Sequence, residues 1–429
     1  MLPASDRQTW LRPVLAGMLA VAALVAAGGA TATVVAVRSS GGPVTAVFVD
    51  QAGRAPALRA LLDRRARAVL GKDRAAFLAD VDPAYVKGEE QEYDNLTRLP
   101  LAELSYGLEE SVAYPAPAAL VERFHSGVWA PGVAVHYRIT GVDTRAVAAP
   151  WVPVFALDGG VWRLAGTATD ASLPLGANAQ PWDSGPVTVA SSARVVAVLS
   201  AGDGARAADL LRMSEAALDR VAAVRRGGWS GRVLVTAVQD QKAFDAYFGD
   251  SPDRVNQVAA IAVPYAAEVP AWHPSAEYAA TRVVINPNQL AADSRELAHD
   301  LAHEFTHAAM GAVTVDGTPL WLVEGFAEYV AYKPTPPPPT GLHRVLAGVQ
   351  ADALPANGSF YADAVNYVLA WVACRLIAQK YGEAKLVALY VAAGSGLGAA
   401  LRQVLGVDEA ALTAQWAKYV ETARTATLP

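Results

Sequence analysis

Between His299 and Gly311 the sequence reads HDLAHEFTHAAMG, setting three histidines at successive four-residue steps with a glutamate beside the middle one. Residues four apart share a helix face, so His303 and His307 can turn both imidazoles toward one ion at zinc-ligand distances of roughly 2 Å. Glu304, next to His303, can reach a water on that ion without ligating it, which makes it the candidate general base. His299 lies eight residues from His307, about 12 Å along a helix and too far for one zinc to bind both. It is expected on the surface or at the rim of a cleft. A helix face carrying His and Glu needs no ion, so the reading turns on a third ligand.

The segment GTPLWLVEGFAEYVAY supplies one. Thr318 is its expected cap and Pro319 its first helical residue, where the missing N–H is harmless. Glu324 and Glu328 then stand one turn apart on a shared face, with Leu320, Val323, Ala327 and Val330 available for a buried side. Two carboxylates on one face are ordinarily solvated charge. Here an apolar helix, joined to the histidine helix by a short Gly-bearing turn, would point Glu324 at the ion, with Gly325 permitting close helix contact. His303, His307 and Glu324 would then be three protein ligands for one Zn2+.

The elements that must position these groups are legible in part. Asp293 and Glu296 have the spacing of a capping box and Gly311 stands where a helix would stop, which predicts one helix over Ser294–Met310 with Leu297, Leu301 and Phe305 as its apolar stripe. Ahead of it, ARVVAVLS, GRVLVTAV, VAAIAVPY and TRVVINP read as strands, and AADLLRMSEAALDRVAAV and QKAFDAYFG as helices. Nearer the N-terminus, ALRALLDRRARAVLGKDRAAFLADV has helical spacing, and GVAVHYRITGV, WVPVFALDGG and VWRLAGTA alternate as antiparallel strands do. LPLGANAQPWDSGPV, rich in Gly and Pro, separates the two regions. The expected class is α+β, with domains over 46–175 and 187–429 and a linker over 176–186. KPTPPPPTG, residues 333–341, is expected to be an extended stiff loop.

At 429 residues, 53% hydrophobic and 18% charged, the chain has material for two cores and is no disordered polymer. A net charge of -6, without any Lys/Arg run, speaks against nucleic acid as a partner. The single Cys374 sits in an apolar run and is expected to be buried. From Pro13 to Val37 no residue is charged, and the run is long enough to span a bilayer. Arg7 and Arg12 precede it and Arg38 closes it, which favours a cytoplasmic N-terminus (1–12), a transmembrane helix (13–37), a linker (38–45) and an extracytoplasmic body. The small-x-small pattern Ala30-Thr31-Ala32 allows the alternative of a secreted protein released by signal-peptide cleavage. Oligomeric state is not readable here.

HEFTH followed by WLVEGFAEY resembles the gluzincin metallopeptidases, specifically the peptidase MA-like family, over roughly residues 281–382. The resemblance implies a zincin-type domain with a mixed sheet followed by helices, His303, His307 and Glu324 as zinc ligands, Glu304 as general base, and Glu328 orienting a ligand histidine. It further implies a tyrosine donating to the oxyanion at the start of FYADAVNYVLAW, where Tyr361 is the match and Tyr367 is assigned to packing. Sixteen residues separate His307 from Glu324, fewer than in thermolysin-like or aminopeptidase relatives. The Gly-x-Met-Glu-Asn motif that grips a free substrate amine is absent, so the implied activity on peptides or proteins is that of an endopeptidase. Residues 46–175, with FLADVDP and EYDNLTRLPLAELSYGL, resemble the cone-shaped α+β fold of nuclear-transport-factor-like domains. Two alternatives stand beside the peptidase: a zinc-binding sensor or interaction protein with a weakly active or inactive zincin domain, and a zinc hydrolase of non-peptide substrates.

Overall fold

The computed structural model describes residues 53–168, 180, 182–183, 185–237, 241, 244, 258–290, 294–426 and 428. The Pro13–Val37 run, Asp293 and most of QKAFDAYFG lie outside the described residues. Among those described, no helix is long and apolar enough to cross a membrane. The chain is α+β, with antiparallel and mixed sheets accompanied by helices, and its contacts divide it into two units that meet in sequence between Pro186 and Val187, with one later segment returning to the N-terminal unit.

The N-terminal unit opens with α1 (Arg54–Leu70), α2 (Arg74–Leu78) and α3 (Val86–Leu96). Asp73 caps α2 by accepting from the Ala76 N–H at 3.0 Å. Two antiparallel three-stranded sheets follow, with a short helix α4 (Ala118–Phe124) between their strands. One has the order β1 (Leu101–Ala113), β3 (Pro131–Ile139), β4 (Val147–Trp151); the other has β2 (Val128–Trp129), β5 (Pro153–Asp158), β6 (Val161–Thr167). Leu58, Leu61 and Leu62, at helical spacing on α1, pack with Trp129, Val133, Phe155 and Leu164 from the strands. This unit also includes Ala266–Glu277, a segment lying far along the chain. Trp272 Nε1 donates to Tyr114 Oη at 3.0 Å, and a Cβ at Gly132 would come within 2.9 Å of the Trp272 ring.

The C-terminal unit has a five-stranded sheet of order β10 (Ala260–Ala266), β11 (Tyr278–Ile285), β9 (Val233–Ala237), β8 (Val195–Ser200), β7 (Val187–Ser191). β8, β9 and β11 run parallel, and β7 pairs antiparallel with β8. VVAVLS and VLVTA are almost wholly buried, as strands covered on both faces require. Helix α5 (Ala207–Val224) packs on β8 and on α6 (Ser294–Met310), and α6 packs on α7 (Leu320–Tyr332). Then come α8 (Pro339–Leu346), α9 (Val365–Tyr381), α10 (Glu383–Ala393), α11 (Leu397–Val404) and α12 (Glu409–Thr425).

Three local expectations are corrected. The proline run is not loop throughout: Pro338 takes the capping position of α8 and Pro339 its first turn, where a fixed φ suits helix entry. Pro319 is the capping residue of α7 rather than its first helical one. Thr318 does not cap the helix, because its hydroxyl accepts from the Val315 N–H at 3.2 Å, leaving Asn357 Oδ1 to accept from the Leu320 N–H at 2.9 Å.

Candidate metal centre

Helix α6 buries nearly every side chain from Leu297 onward, because β11, α5 and α7 surround it. Leu297, Leu301 and Phe305 form the apolar stripe. His303 and His307 lie on another side with their rings 4.7 Å apart. α7 is buried almost all round rather than on one face. Its Gly325 lies so close to Ala370 O of α9 that a Cβ would collide with that carbonyl. The tight packing the glycine allows is therefore against α9.

These elements bring His303, His307 and Glu324 together, all buried. His307 Nε2 is 3.0 Å from His303 Nε2, His303 Nε2 is 3.2 Å from Glu324 Oε2, and His307 Nε2 is 3.5 Å from the same oxygen. Glu328 Oε1 lies 3.1 Å from His303 Nδ1. The contact is not aligned as a hydrogen bond, but a carboxylate can only accept, so a proton on Nδ1 is the one it favours and the Nε2 lone pair is then left facing the other two ligand atoms. Three lone-pair donors crowded together repel unless a proton or cation lies between them. In a tetrahedral shell at zinc distances, ligand atoms stand about 3.3 Å apart, and the three separations straddle that spacing. The donor set, two imidazoles and one carboxylate, also suits zinc. The residues fit the ion.

The surrounding charge points the same way. Asp300, Glu304, Glu324 and Glu328 are all buried, and among the described residues none is ion-paired with Lys or Arg. Burial opposes ionisation of Glu324, yet His307 and His303 outweigh it and hold its carboxyl down at about 2. Glu328 is likewise held at about 2, against burial, by His299 and His303. Burial alone would lower His303, but Glu324 and Glu328 raise it well above the usual range. Burial keeps His307 below it.

Like Asp300 and Glu328, Glu304 has no well-formed hydrogen bond to either carboxylate oxygen. Burial pushes this carboxyl up to about 8 against the pull of His303, with Glu324 adding to the rise and the Ala262 N–H of β10 opposing it. A buried carboxyl without a fixed partner, poised near neutrality beside a ligand set, is what proton transfer needs.

His299 is not at the surface. It is buried, with its ring 4.2 Å from that of Tyr332 and Nε2 3.5 Å from Glu328 Oε2. It lies outside the ligand set and helps fix Glu328. Tyr361 sits in a 3-10 turn, Asn357–Ala362, ahead of α9, and its Oη donates to Glu324 Oε1 at 3.0 Å. Tyr367 is buried on α9 against Phe360. Cys374 is buried there as well. Asp300 and Asn357 were not anticipated. Asp300, one turn before Glu304 on α6, has both oxygens buried and unbonded, and its place in the HDLAHE spacing was the available signal. For Asn357, 37 residues beyond the Leu320 it serves, the sequence holds none. No family model, curated protein or solved structure matches the chain.

Proposed function

We propose that the chain is a zinc-dependent peptidase of gluzincin type. The observation that carries this reading is the convergence of His303 Nε2, His307 Nε2 and Glu324 Oε2 at tetrahedral-shell spacing beside the unbonded carboxyl of Glu304. When bound, zinc would supply a Lewis acid that acidifies an attacking water and polarises the scissile carbonyl. His303, His307 and Glu324 hold the ion, and Glu328, itself steadied by His299, fixes the tautomer of His303. Glu304 takes the proton of the attacking water and delivers it to the leaving amine, a transfer favoured by a carboxyl near neutrality. Tyr361, whose phenol burial keeps protonated, turns its Oη from Glu324 to the oxyanion that develops on the substrate.

The mixed sheet followed by helices supports the zincin reading of 187–429, and helices followed by antiparallel sheets support a cone-like reading of 46–175. The uncharged Pro13–Val37 run supports attachment to a membrane with the body outside the cytoplasm. The direct test is the zinc content of the full chain together with a digest of a diverse peptide library. Stoichiometric zinc, cleavage within peptides, loss on chelation and recovery on zinc addition are expected. Cleavage that survives complete metal removal, or a chain that takes up no zinc, overturns the proposal.

A further inference from the structure

The N-terminal unit encloses a cavity of about 330 Å³, within the range of small-molecule sites. Its walls carry five aromatic side chains, Tyr85, Tyr106, Tyr137, Trp151 and Trp182. Several are locked in place: Tyr85 Oη and Trp151 Nε1 both meet Thr167 Oγ1, at 3.1 and 3.3 Å, and Tyr137 donates to Gln180 Oε1 at 3.0 Å. Such walls are preorganised rather than collapsed.

The charges facing this space are unbalanced. Arg65, Glu89, Glu92 and Asp183 all line it. Arg65 is ion-paired with Glu89 at 2.5 Å, both side chains being 5% exposed, and its guanidinium lies 3.8 Å from the centre of the Phe77 ring. That cation is spent on Glu89. Glu92 and Asp183 have no cationic partner within ion-pair distance among the described residues. Asp183 accepts from the Gln180 N–H at 2.7 Å, while Glu92 has no hydrogen bond there. Arg65 Nε, although buried, has no acceptor. A half-enclosed apolar chamber with two carboxyl groups lacking a cationic partner, aromatic faces and one unused donor suits a cation that also carries an acceptor.

We propose that this cavity binds a small organic cation, a protonated amine on an aromatic or apolar body with an adjacent hydrogen-bond acceptor. Its ammonium faces Glu92 and the aromatic walls, and its acceptor faces Arg65 Nε. Burial, with Glu89 nearby, raises the Glu92 carboxyl to about 7, and burial with Glu92 raises Asp183 well above the usual carboxyl range, so a bound ammonium takes the place of a proton on this pair.

Calorimetric titration of the full chain with three matched probes tests this: 2-phenoxyethylammonium, 2-phenoxyethanol and phenoxyacetate. The ammonium compound is expected to bind saturably and roughly tenfold or more tighter than either counterpart. Glu92→Gln should weaken it by about the same factor, and Glu304→Gln, in the other unit, should leave it unchanged. Equal affinities, tighter carboxylate binding, no saturable binding of the ammonium compound, or indifference to Glu92→Gln would overturn the proposal. The three probes decide the matter on the native chain even if Glu92→Gln fails to fold.

Discussion

At the residue scale, Glu324 and Glu328 are a matched pair with different neighbours. Both are buried on α7 one turn apart, but Glu324 shares an oxygen with both histidine Nε2 atoms, whereas Glu328 reaches the far nitrogen of His303. Glu324→Ala is therefore expected to abolish most zinc binding, and Glu328→Ala to weaken it about ten- to a hundredfold, as loss of an orienting partner does. Competition with a chromogenic chelator reads both, and equal affinity in the two variants would contradict the assignment. The convergence of these residues was legible because one turn of helix relates each pair, a relation that local sequence encodes. His299 was misread for the complementary reason. Whether a histidine on α6 is covered depends on Tyr332 of α7, and sequence spacing along one helix carries no information about its neighbour.

At the element scale, the site depends on how closely α7 lies against its surroundings. Helix α6 was legible to both ends, and ARVVAVLS and GRVLVTAV were legible as strands whose ordered cores are VVAVLS and VLVTA, because continuous apolar runs and 3.6-residue spacing report burial directly. The start of α7 was placed one residue early, since Pro319 takes the capping position and the acceptor for the Leu320 N–H is the distant Asn357. Gly325 shows what close packing requires. Alanine there gains helix propensity worth about 1 kcal/mol, but its Cβ would collide with the backbone carbonyl of Ala370, which cannot swing away. Gly325→Ala is expected to lower stability by about 1–3 kcal/mol net and to weaken zinc binding, because Glu324 precedes it directly. Denaturant melts and zinc titration measure the two effects, and an unchanged midpoint would refute the packing argument.

At the scale of the whole molecule, the two units hold separate candidate sites, and the pairing of Ala266–Glu277 with the N-terminal unit shows why a linear division of the chain is incomplete. That segment is short, and only its contacts, such as Trp272 with Tyr114, reveal its allegiance. The N-terminal unit makes a pH prediction of its own. Arg65 on α1, Glu89 on α3, Tyr106 on β1 and Asp183 face Glu92, whose carboxyl is raised to about 7, above the roughly 4.3 of an unfolded chain. The folded state thus keeps this proton longer, and the stability it contributes is full below about pH 4 and lost as pH rises through about 7. Glu92→Gln removes that loss. Relative to native protein, the variant should gain on the order of 1–3 kcal/mol between pH 4 and 8 in denaturant unfolding, and parallel pH profiles would contradict the charge assignment. For the C-terminal unit, removing His303 or His307 cannot distinguish a catalytic ion from a structural one, since either loss sacrifices the metal. Glu304 can, because it is not a ligand. Glu304→Gln preserves size and abolishes proton transfer, so the most direct measurement compares zinc content, melting and peptide hydrolysis in native and Glu304→Gln protein. Near-native zinc and melting with at least ~100-fold slower hydrolysis is the expected result; a zinc-loaded native protein whose hydrolysis is no faster than that of Glu304→Gln would contradict the assignment as a peptidase.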